Sequence, residues 1–329
     1  MKRSCSTFLK EIYRDNKLRV KGKRNLLKDI GLFYRNKSLI SKEKKLLERY
    51  HNRDFPIVFV LSVPRSGTTF LSQFIADNFD IAFINNYMSK YFLAPLYALI
   101  KFERKGQKDL QSYQSDLGNT KGDHAPHEFG YFWQYYLNHS QHDHLSDEEL
   151  DLVDWEMLRK ELYGISAHQQ KPLMIKSLVY TNYYIERLAK EFPNSKFLYI
   201  KRDPVYVFQS IYESRIKRYG SPDIWWSIRP RNWMKQTGKS PLEQIAYQYQ
   251  DVSRHIESSL AKLENNRKIT IQYEDLVAKP KEHIQSLAKI IGIQAIDKEQ
   301  DFSGLNKQTN KQRLNDELFA ELNELIKNR

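Results

Sequence analysis

Residues 65–69 read Arg-Ser-Gly-Thr-Thr, a set of types suited to holding an anion. An apolar run, IVFVLSV at 57–63, and Pro64 precede them, and Phe70, Leu71, Phe74 and Ile75 follow at helical spacing. The pattern predicts a buried strand, a tight turn and a helix. Gly67 permits a positive φ in the turn. The first N–H groups of the helix lack intrahelical partners and, with the helix dipole, favour negative charge. Arg65 adds a cation and Thr68 and Thr69 add hydroxyl donors, so the segment suits a phosphate-type group. The plainer reading is a strand-to-helix turn capped by Ser or Thr; the buried strand before it and the helix after it favour the anion site. This is not a Walker loop, because no Lys follows Gly67. Nor does any predicted strand end in a Walker-type aspartate for magnesium.

A second basic position, Arg202, follows the apolar run KFLYI at 196–200. A guanidinium at a strand end can grip a phosphate through paired, charge-assisted hydrogen bonds. Taken alone it reads as a surface ion pair with Asp203; taken with the 65–69 turn it reads as a second anion grip.

These residues need a scaffold, and the hydrophobic pattern predicts one. Strands are expected at 56–63, 81–84, 173–175, 196–200 and 268–273, with helical patterns between them. Buried strands separated by helices argue for a parallel sheet covered on both faces, with ligands at the carboxyl ends of its strands. The predicted fold is α/β: a three-layer α/β/α arrangement around a parallel sheet of about five strands, with a helical N-terminal extension and helical insertions. The expected division is residues 1–54, a basic helical extension, and 55–329, the main domain.

The chain has 329 residues and a formal charge of +13. Residues 1–54 hold 17 Lys/Arg against 6 Asp/Glu, so most of the excess lies there. That segment reads either as a contact for a membrane surface or polyanion, or as a solvated helical hairpin packed on the main domain. Its helical spacing falls at Leu26, Leu27 and Ile30, and at Leu39, Leu46 and Leu47. The single cysteine, Cys5, excludes an intrachain disulfide. No apolar run approaches the roughly 20 residues that span a bilayer. A soluble, cytoplasmic protein is expected, one able to lie against the inner membrane face through its basic N-terminus. No nucleic-acid partner is expected, and oligomeric state is left open.

At three blocks the chain resembles the PAPS-dependent sulfotransferase family, whose bacterial members have a P-loop-NTPase-like fold. VPRSGTTFL (63–71) is similar to that family's loop for the 5′-phosphosulfate of PAPS, 3′-phosphoadenosine 5′-phosphosulfate. FLYIKRDPVYVFQSIYESR (197–215) is similar to its 3′-phosphate segment, with an Arg beyond a strand and a Ser eight residues later, here Arg202 and Ser210. IQYEDLVAKPKEHIQSLAKIIGI (271–293) is similar to its Tyr-Glu-Asp-Leu strand end and following helix. The resemblance implies cofactor contacts from Arg65, Ser66, Gly67, Thr68, Thr69, Phe70, Arg202, Ser210 and Tyr273, with PAP as product and no metal. Near the C-terminus, FSGLNKQTNKQR (302–313) occupies the place of the family's final cofactor-covering loop and suggests Lys307 and Arg313, although the usual Arg-Lys-Gly wording is absent.

The reaction so implied is in-line displacement at sulfur by an acceptor hydroxyl. Arg65 is the expected leaving-group cation, where many relatives have Lys, and Lys176 at the end of the third strand is a second. The cytosolic branch carries a catalytic His two residues after that Lys; here Leu178 stands there, so the base must come from elsewhere. GDHAPHEFGYFW (122–133) resembles an acceptor-side segment of bacterial and carbohydrate sulfotransferases. It offers Glu128 first, then His127 and His124, as base or acceptor contact. These histidines also read as ordinary loop residues, and Glu128 as a helix cap. His139, His142 and His144 read as a solvated loop rather than a metal cluster. The aromatic, cationic stretch at 212–233 either lines the acceptor pocket, through Trp225 and Trp226, or is a helical subdomain packed on the sheet. The expected acceptor is a small molecule, glycan or lipid-like alcohol. The alternative function is a P-loop phosphotransferase, which the missing Walker Lys disfavours.

Overall fold

The computed structural model describes residues 5–21, 23–50, 55–104, 115–116, 119–137, 144–297, 302 and 310–327. The five predicted strands form, as β1 (Ile57–Leu61), β2 (Ala82–Phe83), β3 (Leu173–Lys176), β4 (Lys196–Lys201) and β5 (Lys268–Gln272). They make one parallel sheet in the order β2-β3-β1-β4-β5. The chain leaves β1 toward β2 and β3 on one side, then crosses to β4 and β5 on the other. The carboxyl ends of β1 and β4 therefore flank the topological switch point, where sheets of this kind bind ligands. Arg65 follows β1 and Arg202 follows β4.

Alternation along the strands divides the core in two. Val58, Val60, Leu198 and Ile200 face α3 (Thr68–Asn78) and, near the end of the chain, the helix Pro280–Ile291, through Leu71, Phe74, Ile75, Leu287 and Ile291. Ile57, Phe59, Leu61, Phe197 and Tyr199 face the opposite layer. That layer includes α4 (Pro95–Glu103), α5 (Gly130–Tyr136), α6 (Trp155–Gln169), α7 (Ile185–Glu191), α8 (Pro204–Tyr219) and α9 (Pro241–Ala261). The arrangement is three-layer α/β/α. Every residue of β1 is buried, as an unbroken apolar run at the centre of a doubly covered sheet requires.

The N-terminal segment forms α1 (Cys5–Leu18) and α2 (Leu26–Leu47), and α2 packs against the domain. Its buried positions include Phe33, Asn36, Glu43 and Leu47, whereas Leu27 is 78% exposed. The leucine spacing thus marks the buried stripe incompletely, because three of its members, Asp29, Asn36 and Glu43, are polar. Asn36 accepts from Leu93 N and donates to Lys90 O, both at 3.0 Å. Glu43 accepts from Leu96 N at 2.7 Å and Tyr97 N at 2.8 Å, capping unpaired donors in the first turn of α4. Among the described residues no helix is long and apolar enough to cross a membrane.

Candidate active site

Beyond β1 the backbone turns sharply. Arg65 has φ +72° and Gly67 φ +100°. A Cβ on Gly67 would lie 2.6 Å from Tyr273 Cδ2, so the left-handed conformation and the closeness of Tyr273 both demand glycine. Tyr273 follows β5, and its ring meets Phe70 edge-on with centroids 5.6 Å apart. This packing fixes the first turn of α3 and the direction of its N–H groups. Ser66 and Thr68 are buried in the turn.

Two guanidinium groups bracket the turn. Arg65 Nε donates to Ser210 Oγ on α8 at 2.9 Å, and its Cζ lies 6.0 Å from the ring centroid of Trp226. Arg202 Nη1 donates to Arg65 O at 3.3 Å, and its Cζ lies 4.9 Å from the ring centroid of Tyr273. Arg202 also donates twice to Asn310 Oδ1, from Nε at 2.9 Å and Nη2 at 2.7 Å. Asn310 Nδ2 in turn donates to Glu274 Oε1 at 2.6 Å. An oxygen with lone pairs thus already occupies the guanidinium fork, the kind of partner a phosphate oxygen would replace.

Lys176 joins this side to the next. It ends β3 beside Val60 of β1 and is buried. Its Nζ donates to Thr69 Oγ1 at 2.8 Å and stands 3.6 Å from Glu128 Oε1. Burial pulls its pKa below the usual lysine value, and the carboxylate of Glu128 opposes that shift. One ammonium therefore touches both the anion turn and a carboxylate. His127 Nδ1 accepts from Phe129 N at 2.9 Å, which leaves its proton on Nε2. Burial, with Lys176 adding to it, brings the His127 pKa down to about 4. His127 is therefore neutral near pH 7 and a weak base. Glu128, with 41% of its side chain exposed, reaches a cavity of about 420 Å³ that is also lined by His127, Tyr131, Gln134 and Tyr180.

The structure brings Arg65, Ser66, Gly67, Thr68, Thr69, Phe70, Lys176, Arg202, Ser210 and Tyr273 together at the strand ends, with His127 and Glu128 across Lys176. The remaining sequence candidates have other partners or lie outside the described residues. His124 packs against Phe102, ring centroids 4.7 Å apart, away from the cavity wall. Trp225 is buried between the Arg215 guanidinium, 4.8 Å from its ring, and Trp233; neither it nor Trp226 lines the cavity. Around Trp225 the 212–233 stretch supplies packing, while Trp226 comes near the anion turn at Arg65. Arg313 forks onto Glu213 at 2.7–2.9 Å, and that carboxylate holds its guanidinium. Lys307, His139 and His142 lie outside the described residues. His144 Nε2 contacts Arg229 O at 2.9 Å, and its ring packs on Tyr183. Among the described residues no group of three or more His, Cys, Asp or Glu is placed to hold a metal. Sequence reasoning missed Asn310 and Glu274. Both sit inside quoted segments, Glu274 in Tyr-Glu-Asp-Leu and Asn310 in 302–313, but nothing within that polar stretch singles out Asn310.

The family model for the sulfotransferase family matches residues 56–297. The chain belongs to the sulfotransferase family. Among solved structures it is similar to sulfotransferase STF9 from Mycobacterium avium, at 13% identity and a TM-score of 0.55, covering 96% of this chain and 80% of that one. It is also similar to sulfotransferase STF1 from Mycobacterium tuberculosis H37Rv, at 14% identity and a TM-score of 0.52, covering 80% of this chain and 73% of that one. At such identities the likeness speaks to the fold. A search of curated protein sequences finds no match. This sulfotransferase chain carries α1 and α2 outside the matched stretch, and Arg65, Lys176, Arg202 and Glu128 within it.

Proposed function

We propose that the protein transfers a sulfuryl group from PAPS to a hydroxyl of a carbohydrate or lipid-like alcohol. The observation that carries this reading is the pairing of Arg65 and Arg202 at the switch point, joined through Arg65 O around a glycine turn that opens a helix. The donor set fits an anion with two separated phosphate-type ends. N–H groups and hydroxyls gather at 66–69, and a guanidinium fork at Arg202 is already matched to an oxygen acceptor. PAPS would supply an activated sulfuryl group on a phosphate leaving group.

The chain's own residues then divide the work. Arg65 and the N–H groups at the start of α3 oppose the negative charge that develops on the leaving side. Lys176, held by Thr69, lies next to the position where the transferring group would sit and keeps Glu128 close. Glu128 takes the acceptor's hydroxyl proton on a carboxylate oxygen as the new oxygen–sulfur bond forms and the bond to the phosphate breaks. His127, neutral and with its proton on Nε2, can donate to an acceptor oxygen and help to orient it.

The test is calorimetric titration with PAP in the presence of EDTA, followed by transfer of labelled sulfate from PAPS. PAP binding that Arg202→Ala weakens about tenfold or more supports the reading; binding of ATP that needs magnesium and ignores PAP would overturn it. We further infer contact with an acidic membrane surface through the outer face of α1 and α2, where Leu18, Val20, Leu27 and Tyr34 are exposed beside Lys17, Lys23 and Lys28.

A further inference from the structure

The α1–α2 arm, outside the stretch the family model covers, supplies a wall of the cavity that Glu128 reaches. Ile12, Asp15, Arg19, Arg24 and Leu32 line it from the arm. Specific contacts hold the arm in place. Asp15 accepts from the Tyr219 hydroxyl at 3.0 Å and pairs with Arg19. Val20 N donates to Arg218 O at 3.0 Å. The end of α1 is thereby fastened to the end of α8, the helix that carries Ser210. The turn into α2 is closed by Asn16, whose side chain donates to Arg24 O and accepts from Arg24 N, both at 2.7 Å. The Arg24 guanidinium pairs with Asp29 and lies 4.7 Å from the Tyr131 ring centroid, bridging the arm to α5 across the cavity.

The wall has a definite chemistry. Arg19 and Arg24 are each matched by an aspartate, so the wall is dense in donors and acceptors without a large net charge. The lining also includes Tyr131 and Tyr180, whose faces suit C–H groups, and short polar side chains such as Ser89 and Thr120. A sterol or long-chain alcohol would lay hydrocarbon over Asp15, Arg19 and Gln134 and strip their hydration without replacing it. A hydroxyl-rich ring satisfies both kinds of surface. A cavity of about 420 Å³ suits a ligand of mono- or disaccharide size.

We propose that the arm and the segment around Glu128 together form the acceptor subsite, and that the acceptor hydroxyl belongs to a sugar. This rests on the sulfotransferase reading above. Ile12 and Leu32 set how much room the sugar has, and the Arg24–Tyr131 contact holds the two walls together.

The test uses the full chain and a panel of trehalose, maltose, N-acetylglucosamine and methyl galactoside, with cholesterol and hexadecanol in detergent as competing classes. Saturation-transfer NMR reads binding with and without PAP, and labelled PAPS reads transfer. At least one sugar is expected to bind and accept sulfate. Leu32→Trp, which fills the cavity, should weaken that sugar about tenfold or more, and Ile12→Ala should alter the ranking among sugars, with PAP affinity unchanged in both. The proposal is overturned if no sugar binds, if sulfate goes only to cholesterol or hexadecanol, or if neither variant changes sugar binding. Loss of PAP binding in both variants would also overturn it, because the arm would then support the nucleotide site. Failure of the wild-type chain to bind PAP, with sugar binding intact, would instead defeat the PAPS reading and leave the subsite standing.

Discussion

Arg65 Nε donates to Ser210 Oγ at 2.9 Å, tying the turn after β1 to the middle of α8. The partner arginine, Arg202, donates to the Arg65 carbonyl and spends its fork on Asn310. The two guanidinium groups are thus neighbours with different targets, and removing them should have different consequences. Arg65→Ala should lower kcat by roughly 100- to 1,000-fold, the size of losing one preorganised donor to developing charge. Arg202→Ala should weaken PAP binding by roughly 10- to 100-fold with a smaller change in kcat, the size of a lost charge-assisted pair. Steady-state kinetics beside PAP calorimetry separates the two, and equal modest effects on both parameters would refute the division of roles.

Glu128 and His127 are adjacent in sequence but unequal as bases. His127 is held neutral by burial and by Lys176, with a pKa of about 4 and its Nδ1 occupied by Phe129 N. Glu128→Gln should therefore cost roughly 100- to 10,000-fold in kcat, the range for a lost general base. His127→Ala should cost less and act mainly on acceptor KM. The pH–rate profile should lack a histidine inflection between about pH 6 and 7, where a free imidazole titrates. An inflection there that disappears in His127→Ala would reverse the assignment.

The turn between β1 and α3 gives a third test. Gly67 combines φ +100° with a Cβ position 2.6 Å from Tyr273. Gly67→Ala must either move the Tyr273 ring, which also faces Arg202 and Phe70, or strain the turn. PAP binding should fall at least about tenfold and stability by roughly 1–3 kcal/mol, the range for a residue forced into a disfavoured backbone region. Calorimetry and thermal unfolding read both, and a variant indistinguishable from wild type would show that the turn tolerates a side chain.

Much of this site could be read from the chain because its determinants are local. The 57–63 run, Gly67 and the resumption of apolar spacing at Phe70 specify strand, turn and helix within a few residues of one another. Arg202 and Lys176 were legible as residues that end apolar runs. Asn310 was not, because its role comes from a guanidinium 108 residues away in sequence. Trp225 misled because an aromatic beside cations looks like a ligand surface, whereas here Arg215 buries itself against the ring. On α2 the hydrophobic pattern overlooked Asn36 and Glu43, since polar side chains that cap backbone donors leave no apolar trace.

The outward face of the arm carries Leu27 at 78% exposure and Tyr34 at 58%, with Lys17, Lys23 and Lys28 nearby. Vesicles containing phosphatidylglycerol should sediment the protein, and phosphatidylcholine vesicles should not. Binding should weaken as salt shortens the Debye length to below about 10 Å. Leu27→Asp should reduce sedimentation without touching PAP affinity. Equal partition to both vesicle types would remove the electrostatic part of the inference.

Glu161 lies fully buried under the same arm and accepts from the Tyr136 hydroxyl at 2.7 Å. Burial, with the charge of Glu43 adding to it, pushes its pKa well above the ordinary carboxylate range, and burial raises Glu43 as well. The folded state therefore holds a proton that the unfolded chain releases at its ordinary, lower pKa. The stabilisation tied to that proton is fully present below the unfolded pKa and is lost as pH rises toward the folded one. Glu161→Gln removes the ionisation and keeps an oxygen for Tyr136. The difference in Tm, variant minus wild type, should grow more positive from about pH 5 to about pH 8, because the wild type bears the rising cost of a second buried acid beside Glu43, which both forms keep. A difference that stays constant across that range would mean that Glu161 remains ionised under the arm, with its charge met by other means.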